Sequence, residues 1–217
     1  MIWPVVTDCR RDMPQVDFAE FVEQVGTGRA LASFPTDTVP ALAARPDQGD
    51  RIYAAKERPA DKPLILMGAT LEDLLPYVSG SEADIAAWQQ MAAQYWPGAL
   101  TLVLPASDRV PDVMNPLQTG TIGIRVPNHA LARHILAHTG PLATTSVNRS
   151  GQPALEDMRD IAVQFPELLL LSQGAIAQLK TQLEAFALTA SGVPSTVIRW
   201  QAGGWQVLRQ GSVQIPE

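Results

Sequence analysis

Three cations stand within seven residues at Lys56-Glu57-Arg58-Pro59-x-x-Lys62-Pro63, in a chain otherwise poor in charge. Two prolines fix the path of that loop. Arginine offers a planar fork and lysine a point charge, and both suit phosphate oxygens. Taken alone, the stretch also reads as a solvated basic loop. Farther along, Arg125 ends a run that alternates with period 2, and Arg209 ends another short apolar run. Cations at strand ends beside polar turns commonly line a cleft. Together they point to an anionic, phosphate-bearing ligand.

Other candidates carry less. Ser146 follows a short apolar run, but its flanks are Thr145 and Val147 and not a Gly-x-Ser-x-Gly elbow. Ser146, Asn148 and Ser150 also read as ordinary turn residues that bond backbone. His134 and His138 have the i, i+4 spacing of metal ligands, yet no glutamate adjoins His134 and no distant His or Cys supplies a third ligand. With His129 they read as part of a half-exposed helix, and no metal site is expected. Trp88, Trp96, Trp200 and Trp205 fall at helix and strand positions, where core packing outweighs base stacking. The Asp8–Asp12 run has both signs of charge and reads as solvated.

The elements that must carry these residues follow from hydrophobic spacing. Phe18, Phe21, Val22 and Val25 give a helix, ended by Gly26 and Gly28. Ala30–Phe34 and Val39–Ala44 read as strands around the polar turn Pro35-Thr36-Asp37-Thr38, a place suited to functional side chains. A helix is expected over 48–56, stopped by Pro59. Leu64–Met67 is a short strand, and Thr70 with Asp73 forms a capping-box signature. Ile85, Trp88, Met91 and Tyr95 give a helix that ends before Pro97-Gly98. Strands follow at 100–104 and 121–126, a helix at 129–138, and a strand at 142–145 running into the polar loop 146–153. A helix through Phe165 and closing strands at 168–171, 195–200 and 206–209 complete the chain. This is a single mixed α/β (α+β) domain around one sheet. Neither a dinucleotide fingerprint nor a Walker A loop is present.

Apolar residues make up 46% and charged residues 18% of the 217, which excludes intrinsic disorder. No run approaches the roughly 18–20 apolar residues of a membrane span. The start lacks a basic region followed by an apolar one, so no signal peptide is expected. Cys9, the single cysteine, forbids an internal disulfide. A soluble cytoplasmic protein is the expectation. The net charge of −6 argues against a general nucleic-acid coat but leaves room for one local cationic cleft.

Six segments occur in a telling order. They are Phe34-Pro35-Thr36-Asp37-Thr38-Val39, Lys56-x-Arg58-Pro59-x-x-Lys62-Pro63-Leu64-Ile65, and Trp96-Pro97-Gly98-x-Leu100-Thr101-Leu102. Gly123-Ile124-Arg125-Val126-Pro127-x-His129, Ser146-x-Asn148-x-Ser150-Gly151, and Ser195-Thr196-Val197 through Leu208-Arg209-x-Gly211 complete them. The series resembles the YrdC/Sua5 family, the threonylcarbamoyl-AMP synthases, over about residues 16–211. The resemblance implies a single YrdC-like domain over 1–217, of the short branch, with a sheet and flanking helices around a concave cationic cavity. It implies an ATP-binding nucleotidyltransferase. L-threonine and bicarbonate form a carbamate that attacks the α-phosphate of ATP, with Mg²⁺ bridging phosphate oxygens, and pyrophosphate leaves. Partner proteins of tRNA modification then pass the group to tRNA, giving threonylcarbamoyladenosine. By resemblance, Lys56, Arg58, Ser146 and Asn148 are catalytic. Lys56, Arg58, Lys62, Thr121, Asn148 and Arg209 hold ATP, and Thr38, Arg125, Ser146 and Ser195 hold threonine.

The pattern departs from the family at three places. Pro40 and Ala41 stand where Tyr-Gly is usual, Met67 where a histidine is common, and Glu156 where Ser or Thr often meets ATP. Two other readings therefore stay open. One is a diverged paralogue that adenylates another carbamate. The other is a non-catalytic module that binds tRNA or double-stranded RNA in the same cavity.

Overall fold

The computed structural model describes residues 15–59, 61–149, 151–183 and 190–215. Cys9, the Asp8–Asp12 run and Ser150 lie outside the described residues.

Local chemistry sets each element. Helix α1 (Phe18–Gly26) starts at Asp17, whose carboxylate accepts the Glu20 N–H, and it buries Phe21 and Val25 one turn apart. Strands β2 (Ala32–Phe34) and β3 (Ala41–Ala44) pair antiparallel around the expected polar turn. Helix α2 (Gly49–Lys56) leads to β4 (Ile65–Met67). Capping boxes at Thr70/Asp73 and Ser81/Asp84 start α3 (Leu71–Leu74) and α4 (Glu82–Tyr95). Then come β5 (Leu100–Pro105), β6 (Thr121–Arg125), α5 (Ala130–Thr139), β7 (Leu142–Ser146) and α6 (Met158–Gln164). The chain closes with β9 (Thr196–Gln201) and β10 (Gly204–Arg209), which pair through a turn at Ala202-Gly203.

Three elements depart from the expectations. A two-residue strand β1 (Gln15–Val16) precedes α1, and helix α7 (Gln173–Gln182) follows β8 (Leu170–Leu171). The 168–171 segment does not join the closing strands. It pairs parallel with β1 and runs beside β2, with the Leu169 N–H on Leu31 O at 2.8 Å. Its uniform apolar run says that the segment is buried, not which edge buries it.

Eight strands form one mixed sheet in the order β10-β9-β5-β6-β4-β7-β3-β2, with β4·β6 and β5·β9 parallel. Period-2 alternation divides the core between the two faces. One face sets Leu42, Leu66, Leu102 and Ile124 against Ile52, Trp88, Ile161 and Phe165 from α2, α4, α6 and the residue after α6. The other sets Phe34, Ala43, Met67 and Leu142 against Phe21, Val25, Leu131, Ile135 and Leu179 from α1, α5 and α7. Each fully buried large side chain contributes about 1.5–3 kcal/mol. The second core includes no described residue of β5, β6, β9 or β10. Among the described residues, helices therefore cover only part of that face, and a cavity opens on the rest. No described helix is long and apolar enough to cross a membrane.

Trp88, Trp96, Trp200 and Trp205 belong to packing. Trp88 is buried, Trp200 meets Trp205 edge to face at 4.9 Å, and the Trp96 indole donates to Leu100 O at 2.7 Å. His134 and His138 pack with Phe18 at 4.7 and 5.2 Å, and buried His129 caps α5.

Candidate active site

The turn between β2 and β3 is held by its own hydroxyls. Thr36 Oγ1 donates to Val39 O at 2.7 Å, which leaves the Thr38 hydroxyl to donate to Thr36 across 3.1 Å. Thr38 Oγ1 in turn accepts from Arg125 Nη1 at 2.9 Å. Arg125, at the end of β6, also gives Nε to Gly98 O at 3.1 Å and Nη2 to Asp37 Oδ1 at 2.6 Å. The Trp96-Pro97-Gly98 segment thus places an acceptor for the arginine. The Arg125 and Asp37 side chains are 5% and 12% exposed, so this is a buried ion pair. Burial pulls the guanidinium down from its ordinary value, Asp37 opposes that, and Arg209 adds a smaller push down. Burial likewise lowers His129, again against Asp37.

The end of α2 sends its two cations in different directions. Glu57 adopts a left-handed conformation at φ 51°, which turns the chain between Lys56 and Arg58. Arg58 reaches the cavity, tied by Nε to Lys62 O at 2.9 Å and by Nη2 to Pro63 O at 3.2 Å. Burial lowers its pKa, with Tyr53 and Asp61 opposing. Lys56 turns inward and is 1% exposed. Its ammonium donates to Ser146 O, to Asn148 O at 2.7 Å and to Asn148 Oδ1 at 2.9 Å. Burial, aided by Arg58, lowers it to about 7.

A third group comes from the closing strands. Ser195 Oγ shares a hydrogen bond with Thr101 at 2.9 Å, and Arg209 Nη2 donates to Ser195 O at 2.8 Å. Burial lowers the Arg209 pKa. Gly211 lets the tail cross tightly here, because a Cβ on it would stand 2.2 Å from Pro194 O.

These groups surround one cavity of about 380 Å³. Arg58, Arg125 and Arg209 line it together with Thr38, Ser146, Asn148 and Ser195, while no carboxylate does among the described residues. A chain of net charge −6 therefore presents a cavity whose charged lining residues, among those described, are all arginines. Pro40, Ala41 and Met67 lie on the same wall, and Met67 pairs in register with Arg125.

Three expected residues are elsewhere. Lys56 is shut behind the wall by its bonds to the Ser146–Asn148 loop. Lys62 is exposed and brings its carbonyl, not its amine, to Arg58. Thr121 lines a separate polar pocket of about 410 Å³ with Asp112 and Asn115. Glu156 does not line the cavity, and its Oε1 stands beside Gly192. Asp37, Thr36 and Gly98 were not singled out as site residues from the sequence. A carboxylate inside a polar turn, in a chain with a strand-end arginine, was the available signal for Asp37.

A family model, Sua5_yciO_yrdC, described as telomere recombination, matches residues 27–211. The chain belongs to the Sua5/YciO/YrdC family. A threonylcarbamoyl-AMP synthase of Vibrio campbellii is 32% identical over 158 residues, covering 71% of this chain and 84% of that protein. Pyrococcus abyssi Sua5, solved in complex with L-threonine, superposes with a TM-score of 0.75 at 31% identity. That match covers 89% of this chain and 54% of that one, so the chain spans about half of that Sua5. Escherichia coli YciO, with a TM-score of 0.73 and 24% identity over 91% of this chain and 90% of that one, shares the fold. The mixed sheet and flanking helices expected from the sequence are thus those of the Sua5/YciO/YrdC family.

Proposed function

We propose that this Sua5/YciO/YrdC member is a nucleotidyltransferase that makes threonylcarbamoyl-AMP from L-threonine, bicarbonate and ATP. The carrying observation is one cavity that joins an arginine-centred group at Thr38, Arg125 and Ser195 to a second at Arg58, Ser146 and Asn148. The synthase names of its relatives and the threonine-bound Sua5 support the same reading.

On this reading the first group holds the amino acid. Arg125 uses three of its N–H groups on Gly98, Asp37 and Thr38, so two of its five remain for a carboxylate. The threonine amine takes up bicarbonate with loss of water, and the carbamate oxygen attacks the α-phosphorus. The bond to the bridging oxygen of pyrophosphate breaks, and that oxygen carries the leaving charge. Arg58 and Arg209 stabilise the charge gathering on phosphate oxygens, which is where preorganised cations act most. Mg²⁺ is held through oxygen ligands, typically carboxylates plus substrate phosphates. The described cavity wall supplies hydroxyl and amide oxygens but no carboxylate, so Mg²⁺ enters with the triphosphate as part of the substrate.

The single domain, a cytoplasmic location and hand-over of the product to tRNA-modification proteins belong to the same proposal. A second reading, a diverged member that adenylates another carbamate, is favoured by Pro40, Ala41 and Met67 on the wall. Pyrophosphate release with ATP, Mg²⁺, bicarbonate and either threonine or other amino acids separates the two.

A further inference from the structure

Lys56 and Arg58 sit two residues apart, yet only Arg58 faces the cavity. All three N–H donors of the Lys56 ammonium converge on oxygens of one segment, namely Ser146 O, Asn148 O and Asn148 Oδ1. The same Oδ1 accepts the Ser146 hydroxyl at 2.7 Å. Asn148 Nδ2 spends its two protons on Arg149 O at 2.9 Å and Gln152 O at 2.7 Å. A second cation crosses the other way. Arg149 Nη1 reaches Glu57 Oε1 at 3.0 Å and Ala55 O at 3.3 Å.

We propose that Lys56 is a positioning residue, which fixes the Ser146–Asn148 segment on the cavity wall and does not itself bind phosphate. This rests on the adenylate-forming reading above. An ammonium with no N–H to spare has nothing left to give a ligand. With its proton on Asn148, Ser146 Oγ turns lone pairs toward the cavity and acts there as an acceptor. Arg58 is then the member of the pair that meets the ligand, and Arg149 helps to hold the segment from outside.

The test compares wild type, Lys56→Met and Lys56→Arg. Positioning predicts that Lys56→Met loses about 100-fold in kcat, as for a small misplacement of reacting groups, while KM for ATP moves by less than about threefold. ATP and AMP affinities, measured by titration calorimetry, change by the same factor. Lys56→Arg does not restore turnover, because a guanidinium cannot bring three N–H groups to these oxygens from one nitrogen. Backbone hydrogen exchange over 146–155 speeds up in Lys56→Met. A selective loss of ATP over AMP affinity, unchanged exchange, or near-normal turnover of Lys56→Arg overturns the proposal. If Lys56→Met does not fold, Lys56→Arg and the exposed Arg149→Ala carry the same comparisons. A wild type that turns over no amino acid removes the adenylate reading, while nucleotide affinity and exchange still decide the role of Lys56.

Discussion

Asp37 Oδ1 lies 2.6 Å from Arg125 Nη2, a buried ion pair that ties the β2–β3 turn to the end of β6. The pair fixes the guanidinium in direction as well as charge, with Gly98 O and Thr38 Oγ1 holding its other edge. Removing one partner leaves the other charge buried and alone, which typically costs about 3–5 kcal/mol. Asp37→Ala therefore lowers stability by about that amount in urea unfolding, far more than loss of the exposed Arg29–Glu23 pair. A loss below about 1 kcal/mol would mean that Arg125 finds another partner.

Arg58→Ala lowers turnover by about 100- to 1,000-fold, the scale of a lost oxyanion donor, because it removes a cation from the cavity wall. Steady-state pyrophosphate release measures it. Near-normal turnover would take Arg58 out of the phosphate site.

The Lys56 amine, lowered to about 7 by burial and Arg58, titrates far below its ordinary 10.5. Above pH 7 the native amine gives up its proton while the unfolded chain keeps it. Folding stability, compared with Lys56→Met, therefore rises between about pH 7 and 10.5. Turnover moves the other way over the same range, since a neutral amine has two N–H groups for three oxygens. Arg58, with Asp61 acting on it, and the Glu57–Arg149 pair are charged groups near this end of α2. Melting and rate profiles that rise or fall together contradict this assignment.

Gly211→Ala sets a methyl group 2.2 Å from Pro194 O and 2.5 Å from the Ser195 carbonyl carbon. The tail must shift, and it takes Ser195 and Arg209 with it. Overpacking of this kind costs about 1–3 kcal/mol. The melting temperature falls and KM for the amino acid rises, whereas wild-type values for both would show that the tail adapts freely.

Much of the frame was legible because its signals are local. The Thr70 cap, the Pro35–Thr38 turn and the period-2 run of β6 each write themselves into a few residues. Helix α7 was missed because Ala175 and Leu179 are its only buried positions and Gly174, Lys180, Thr181 and three glutamines stand among the rest, although Ser172 does cap it. Site residues were legible as types but not as directions. Lys56 and Arg58 look alike in sequence, and only the left-handed turn at Glu57 sends one inward and the other to the cavity. Thr121 alternates correctly on β6, yet it opens on a neighbouring pocket, because it stands at the strand's first position. Long-range partners such as Asp37 and Arg125, 88 residues apart, have no local signature.

The most direct measurement gives purified protein ATP, Mg²⁺, L-threonine and carbon-13 bicarbonate, and follows pyrophosphate together with the mass of the nucleotide product. The account predicts threonylcarbamoyl-AMP carrying one labelled carbon, formed in step with pyrophosphate and absent when either threonine or bicarbonate is withheld. Pyrophosphate release that ignores threonine, or ATP bound with no adenylate formed, would contradict it.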